Sequence, residues 1–221
     1  TNMVLKLYLD YMSQPCRALD MFMKMSKIPF VVHPVALRKG EHRQDWFKKI
    51  TPLRKVPVLQ DDNFYLTESI AMVRYLAGSY PTEALYPKNL KLRAKIDEYL
   101  EWQHVNTRFI KILSSKVFLI ENLKIPLEPL ETAVENMEKM LYQLETMFLK
   151  DKDFIAGDQL TVADIFAICE LMQPTMSGRD IFEGHPKLRE WFQRAKAATQ
   201  PHFNEAHAVF NASAARVQNK L

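Results

Sequence analysis

Extended apolar segments occur only in the first eighty residues of this chain, and every apolar pattern after them has helical spacing. That asymmetry divides the protein into a small unit of alternating strands and helices and a larger helical unit. "VLKLYL" (4–9) reads as a strand, and Pro15 stands where the first turn of a helix would begin. Leu19, Phe22, Met23 and Ser26 keep helical spacing up to Pro29. "FVVHPV" (30–35) predicts a second strand and Glu41 to Ile50 a short helix. "VPVLQ" (56–60), a turn at Asp61-Asp62-Asn63 and "FYLT" (64–67) predict a hairpin. "ESIAMVRYLAGSY" then predicts a helix, with Thr67 placed to cap it. The order is β-α-β-α-β-β-α.

"YPTEALYP" (80–87) contains two prolines and reads as a linker. The chain thus divides into a domain at 1–80, a linker at 81–88, and a helical domain from 89 to 221. Residues 88 to about 118 predict one long helix. Val134, Met137, Leu141, Leu144 and Phe148 step by three and four and make a single apolar stripe. The 11 methionines suit gap-filling in a helical core better than redox or metal chemistry. In "GDQLTVADIFAICELM", Thr161 and Asp164 resemble a capping box, with Leu160 and Ile165 as its hydrophobic staple. That stretch predicts a buried helix with a structural role.

Composition narrows the function. An apolar share of 48% with 25% charged residues describes a folded protein. The net charge is +4, and no basic cluster is longer than a pair such as Lys48-Lys49, so no nucleic-acid partner is expected. No apolar run reaches membrane-spanning length, which predicts no membrane partner. The first residues lack the basic-then-apolar order of a signal peptide. Cys16 and Cys169 are the two cysteines, too few for a disulfide framework, which suggests a reducing, cytoplasmic setting. The five glycines are too scattered for a dinucleotide fingerprint or a phosphate loop. The distant cysteines and the five-residue step from His202 to His207 argue against a metal site.

Five quoted stretches, in order, resemble a cytosolic glutathione transferase of the theta class. "YLDYMSQPCRA" resembles the signature in which a serine follows the first strand. "RKVPVL" and "LTESIAMVRYL" resemble the glutathione-binding core, and "LTVADI" the capping motif of the helical domain. "DEYLEWQH" and "FEGHPKLREWFQRA" also read as theta-like. The resemblance implies an α+β fold: a thioredoxin-like N-terminal domain followed by an all-α C-terminal domain. It implies glutathione as co-substrate with no further cofactor, a small electrophilic second substrate, and a homodimer.

Within this resemblance, Ser13-Gln14-Pro15-Cys16 has the spacing of the thioredoxin Cys-x-Pro-Cys, with serine where a dithiol cycle needs its attacking thiol. A hydroxyl near a helix N-terminus can donate to a thiolate brought in by a ligand. Lowering a thiol pKa by about two units takes ~3 kcal/mol, and a charge-assisted hydrogen bond of ~1.5–3 kcal/mol plus a helix-dipole contribution of ~0.3–1 covers it. The competing reading of Ser13 is a plain helix cap. Cys16 has two readings as well, a low-pKa thiol at a helix start or a buried small hydrophobe.

By the same resemblance, the Val56–Pro57 bond is cis and the Val56 backbone pairs with the cysteinyl part of glutathione. Gln14 belongs to the same binding site, Lys55 and His42 contact the glycyl carboxylate, and Arg43 and Lys39 are alternatives to His42. Ser69 and nearby amides hold the γ-glutamyl carboxylate, and Glu68 meets its ammonium. The second substrate is expected around Trp102, Asn106, Arg108, Ile112 and Ser115. Arg108 steadies an anionic leaving group there, or else forms an interhelical ion pair. The chain ends at "AARVQNKL", without the long C-terminal extension of vertebrate theta-class enzymes, which predicts a more open pocket. Conjugation of alkyl halides, epoxides, hydroperoxides or sulfate esters is the implied activity. A non-catalytic ligand carrier or docking module on the same fold is the alternative.

Overall fold

The computed structural model describes residues 4–107, 128–177 and 180–218. Its four-stranded sheet has the order β2-β1-β3-β4, with β1 at Leu5–Leu9, β2 at Phe30–Pro34, β3 at Val58–Asp61 and β4 at Phe64–Leu66. β2 runs parallel to β1, while β3 is antiparallel to both β1 and β4. Successive side chains of β1 serve different faces, as a pleated strand requires. Leu5, Leu7 and Leu9 enter the main core with residues of α1 (Gln14–Met25) and α3 (Ser69–Ser79). Tyr8 joins Val35, Val58 and Phe47 of α2 (Asp45–Ile50) in a smaller core.

Among the described residues the helical half contains α4 (Leu90–Asn106), α5 (Glu128–Gln143), α6 (Val162–Leu171), α7 (Pro186–Ala198) and α8 (His202–Gln218). The expected stripe is present: Met137, Leu141, Leu144 and Phe148 are buried and Val134 is half-buried. It continues past α5 through a π-helical turn, Leu144–Leu149. The Thr161/Asp164 capping box forms at the start of α6. Asp164 does more than cap. Its Oδ1 accepts from the Ile155 amide at 2.8 Å and the Trp191 indole at 2.9 Å, so one carboxylate joins α6 to α7. α6 is apolar on all sides and packs against α1, α4 and α7, which accounts for its burial. One apolar cluster thus runs through both halves, from Leu5 to Ala206.

Four local expectations are corrected. The segment from Glu41 to Ile50 is not one helix: a 3₁₀ turn, Glu41–Arg43, is separated from α2 by an extended Gln44. Glu41 is drawn back to accept from the Ala36 amide at 2.7 Å, while Phe47 is anchored beside Tyr8, and the break lets both be satisfied. β3 starts at Val58, two residues later than expected, because Pro57 has no amide to donate to the ladder. Thr67 does not cap α3. Glu68 holds that position at φ 66° and ψ 109°, because the chain turns from β4 into the helix there and leaves Thr67 one residue too early. The long helix expected over 88–118 begins at Leu90, with Asn89 accepting from the Leu92 amide at 3.1 Å. Its predicted course beyond 107 lies outside the described residues.

Candidate active site

Strand pairing gathers the predicted residues at one end of the sheet. Leu9 at the end of β1 pairs with Pro34 at the end of β2, and Tyr8 pairs with Val58 at the start of β3. Leu66, the last residue of β4, pairs with Leu59. Ser13 and Gln14 after β1, His42 after β2, Lys55, Val56 and Pro57 before β3, and Glu68 and Ser69 after β4 therefore leave the sheet at the same end. The Val56–Pro57 bond is cis, as expected.

The β1–α1 junction is held by Asp10. Its two carboxylate oxygens accept from the Met12 amide at 2.8 Å and the Leu37 amide at 2.9 Å, tying this loop to the one after β2. Ser13 occupies the N-cap of α1 with extended backbone, yet its side chain makes no cap hydrogen bond. The plain-cap reading therefore fails. Its hydroxyl is instead a hydrogen-bond partner of the Cys16 thiol, which is fully buried. Burial outweighs that contact and pushes the thiol up to about 12, so Cys16 is protonated at neutral pH and behaves as a small hydrophobe. The neighbouring phenol is also spoken for. Tyr11 donates to Asp20 at 3.2 Å, and burial together with that carboxylate raises its pKa. Ser13 is thus the hydroxyl of this junction that is neither capping nor bound to a carboxylate.

The start of α3 carries backbone strain. Glu68, at positive φ, pays the ~1–3 kcal/mol that such a conformation demands of a residue with a Cβ, a strain typical of ligand clamps. It is exposed, and Ser69 opens α3 where free amides point outward. Gln14 and Pro57 are buried, Val56 is half-buried and Lys55 is exposed. His42 is half-buried, and its Nδ1 is enclosed without a hydrogen-bond partner. Arg43 and Lys39 are exposed.

Of the residues expected around the second substrate, Trp102 and Asn106 sit on α4. Trp102 packs against Phe148 at 4.8 Å and Tyr99 at 5.9 Å between ring centroids. Asn106 donates to the Trp102 carbonyl at 2.8 Å. α4 is joined to α3 by Arg74, which contacts Asp97 at 3.2 Å and Glu101 at 2.8 Å. Arg108, Ile112 and Ser115 lie outside the described residues.

Sequence reasoning missed the role of Arg17. It is fully buried and donates to Tyr11 O at 2.7 Å, Cys169 O at 3.1 Å and Gln173 Oε1 at 3.0 Å. It fastens the loop carrying Ser13 to the helical half. The available signal was a pair of charges, Arg17 and Asp20, inside the otherwise apolar run from Cys16 to Met23. A helix buried on all sides must find partners for its charges.

Comparison with known proteins agrees with this architecture. The family model for the glutathione S-transferase N-terminal domain matches residues 13–78, and that for the C-terminal domain matches 117–198. Mouse glutathione S-transferase theta-1 is 46% identical over 94% of this chain and 89% of its own length. The apo structure of human glutathione S-transferase T1-1 superposes with a TM-score of 0.87 at 42% identity, covering 93% of this chain and 88% of that one. A human theta-class transferase, solved with the glutathione conjugate of 1-menaphthyl sulfate, gives a TM-score of 0.90 at 37% identity, covering 99% of this chain and 91% of that one. With its strand order, its Ser13 junction and these likenesses taken together, the chain belongs to the theta class of the glutathione transferase family.

Proposed function

We propose that this glutathione transferase uses the Ser13 hydroxyl to hold the glutathione thiolate and directs that sulfur at small electrophiles. The observation that carries the reading is the state of the β1–α1 junction. Ser13 is at a helix N-terminus without a capping bond, while Cys16 is buried with its thiol pushed up to about 12. A donor that caps nothing and meets only a neutral thiol, beside a helix N-terminus, is suited to an incoming anion. Cys16, unable to ionise at neutral pH, is not the nucleophile.

The tripeptide is bound along one end of the sheet. The Val56 backbone, just ahead of the β3 ladder, pairs with the cysteinyl unit. Glu68 and Ser69 take the γ-glutamyl end, a role supported by the strained φ of Glu68. His42 and Lys55 take the glycyl carboxylate with Gln14 and Pro57 shaping the site, and half-buried His42 is less solvated than the exposed Arg43 and Lys39. The electrophile lies against α4, near Trp102 and Asn106, with Arg108 and Ile112 completing the site. Alkyl halides, epoxides, hydroperoxides and sulfate esters are its substrate classes. The last is supported by the sulfate-derived conjugate named for the human relative.

No metal or prosthetic group enters this chemistry, since glutathione itself supplies the nucleophile. The protein acts in the cytoplasm as a two-fold symmetric homodimer, each thioredoxin-like domain facing the partner's helical domain. Sedimentation at micromolar concentration checks the assembly, and a species of 25.8 kDa alone would refute it. The activity is tested by following conjugation of an alkyl halide with glutathione, by wild type and by Ser13→Ala at pH 7. Turnover in the variant is expected to fall ten- to a hundred-fold, about one to two units of thiol pKa. Equal turnover would refute the role of Ser13.

A further inference from the structure

We propose that the surface from Arg38 to Arg54 docks on an anionic lipid bilayer. In sequence these cations never run longer than a pair, which conceals how many of them this one segment exposes. Arg38, Lys39, Arg43, Lys48, Lys49 and Arg54 are all exposed, besides Lys55, which the glutathione site claims. Against these six stand two carboxylates, Glu41 and Asp45, and Glu41 accepts from the Ala36 amide at 2.7 Å. The segment therefore carries a local excess of four positive charges, as many as the +4 of the whole chain. The rest of the molecule is balanced in charge, so a negatively charged plane attracts this segment above all others.

Charge alone would suit any polyanion, but the apolar residues within the patch favour lipid. Phe47 is buried beside Tyr8, which fixes α2 and leaves Trp46 on its outer side, 39% exposed. The Trp46 indole N–H already donates to Gln44 Oε1 at 2.9 Å, so the ring can enter a headgroup layer without an unpaired donor. Leu53 is 52% exposed in the loop between α2 and β3. An exposed tryptophan and leucine in the same short segment as these exposed lysines and arginines suit the interface of an acidic membrane, where basic residues are drawn by the surface potential. The docking is peripheral and departs from the expectation of no membrane partner, which rested on spanning segments alone; no helix among the described residues is long and apolar enough to cross a membrane.

The test is co-sedimentation with vesicles of phosphatidylserine and phosphatidylcholine, or of phosphatidylcholine alone, with tryptophan emission read in parallel. Wild type is expected to bind the acidic vesicles at about 0.05 M salt and to bind at least about tenfold more weakly at about 0.5 M, where the Debye length has shrunk about threefold. Lys48→Glu/Lys49→Glu should weaken that binding at least tenfold with turnover of a soluble electrophile unchanged, which also shows that the variant is folded. Trp46→Ser should keep the salt dependence and lose the blue shift of emission. Equal binding to neutral vesicles, no binding to acidic ones, or an unaffected double variant would overturn the proposal. So would binding of duplex DNA without binding of vesicles, which would assign the face to a soluble polyanion.

Discussion

Arg17 Nη2 donates to the carbonyl oxygen of Cys169 at 3.1 Å, joining residues 152 positions apart and the two halves of the protein. The guanidinium also lies 4.7 Å from the Phe210 ring centre and, through Nη1, 2.7 Å from Tyr11 O. Burial lowers its pKa, though Cys169, Glu170 and Cys16 favour the cation. Replacing it strands three acceptors in the interior. Arg17→Met is expected to destabilise the fold by about 2–4 kcal/mol in urea denaturation, and Arg17→Lys to recover little, because an ammonium cannot reproduce the planar fork. A loss below about 0.5 kcal/mol would show that the contacts do not hold the halves together.

His207 gives the protein an acid-sensitive core. It is fully buried, stacked on Phe203 at 4.1 Å, and its Nδ1 is 2.8 Å from Phe203 O. Burial, and then the positive charge of Arg17, lower its pKa from 6.5 to about 3. The folded state therefore resists a proton that the unfolded chain accepts below about 6.5. Its stabilising contribution is complete above that pH and is lost as the pH falls towards 3. The slope is about 1.4 kcal/mol per unit for one proton. Urea unfolding of wild type and His207→Phe from pH 7 to 4 should show this slope in wild type and its absence in the variant. Parallel pH profiles would reject it.

Local pattern made much of this legible and distance hid the rest. The apolar "VLKLYL" and Pro15 pointed to β1 and α1, and the Thr161/Asp164 pair to the start of α6, because those signals lie within one element. Thr67 misled because the turn into α3 is made by the positive φ of Glu68, a conformation that no side-chain preference announces. The role of Arg17 escaped because its partners in the helical half lie 152 and 156 residues away. Ser13 was readable as a residue, but that its hydroxyl leaves the cap unfilled is a matter of geometry.

Glu68→Ala, Ser69→Ala and Lys55→Ala should each weaken glutathione binding more than they slow the chemical step. They hold parts of the tripeptide remote from sulfur, so their contacts are alike in ground and transition states. Each is expected to cost about 1–3 kcal/mol of affinity by calorimetry, with kcat nearly constant. Unchanged affinity in all three would remove the assigned site.

Ser13→Ala separates thiolate stabilisation from binding and folding. The fold should survive, because Ser13 supplies no cap bond to α1 and even a true cap is worth only ~1 kcal/mol. Glutathione should still bind, since most of its proposed contacts lie along the peptide and its charged ends. What should move is the pKa of the bound thiol, upward by about one to two units, which the thiolate absorbance reports directly against pH. Turnover should follow it down at neutral pH and partly return at high pH, where solvent ionises the thiol unaided. Cys16→Ser should leave this titration where it is in wild type, because the native thiol is buried, held up at about 12, and never part of the ionising pair. If Cys16→Ser shifts the titration while Ser13→Ala does not, the thiol and not the hydroxyl carries the chemistry.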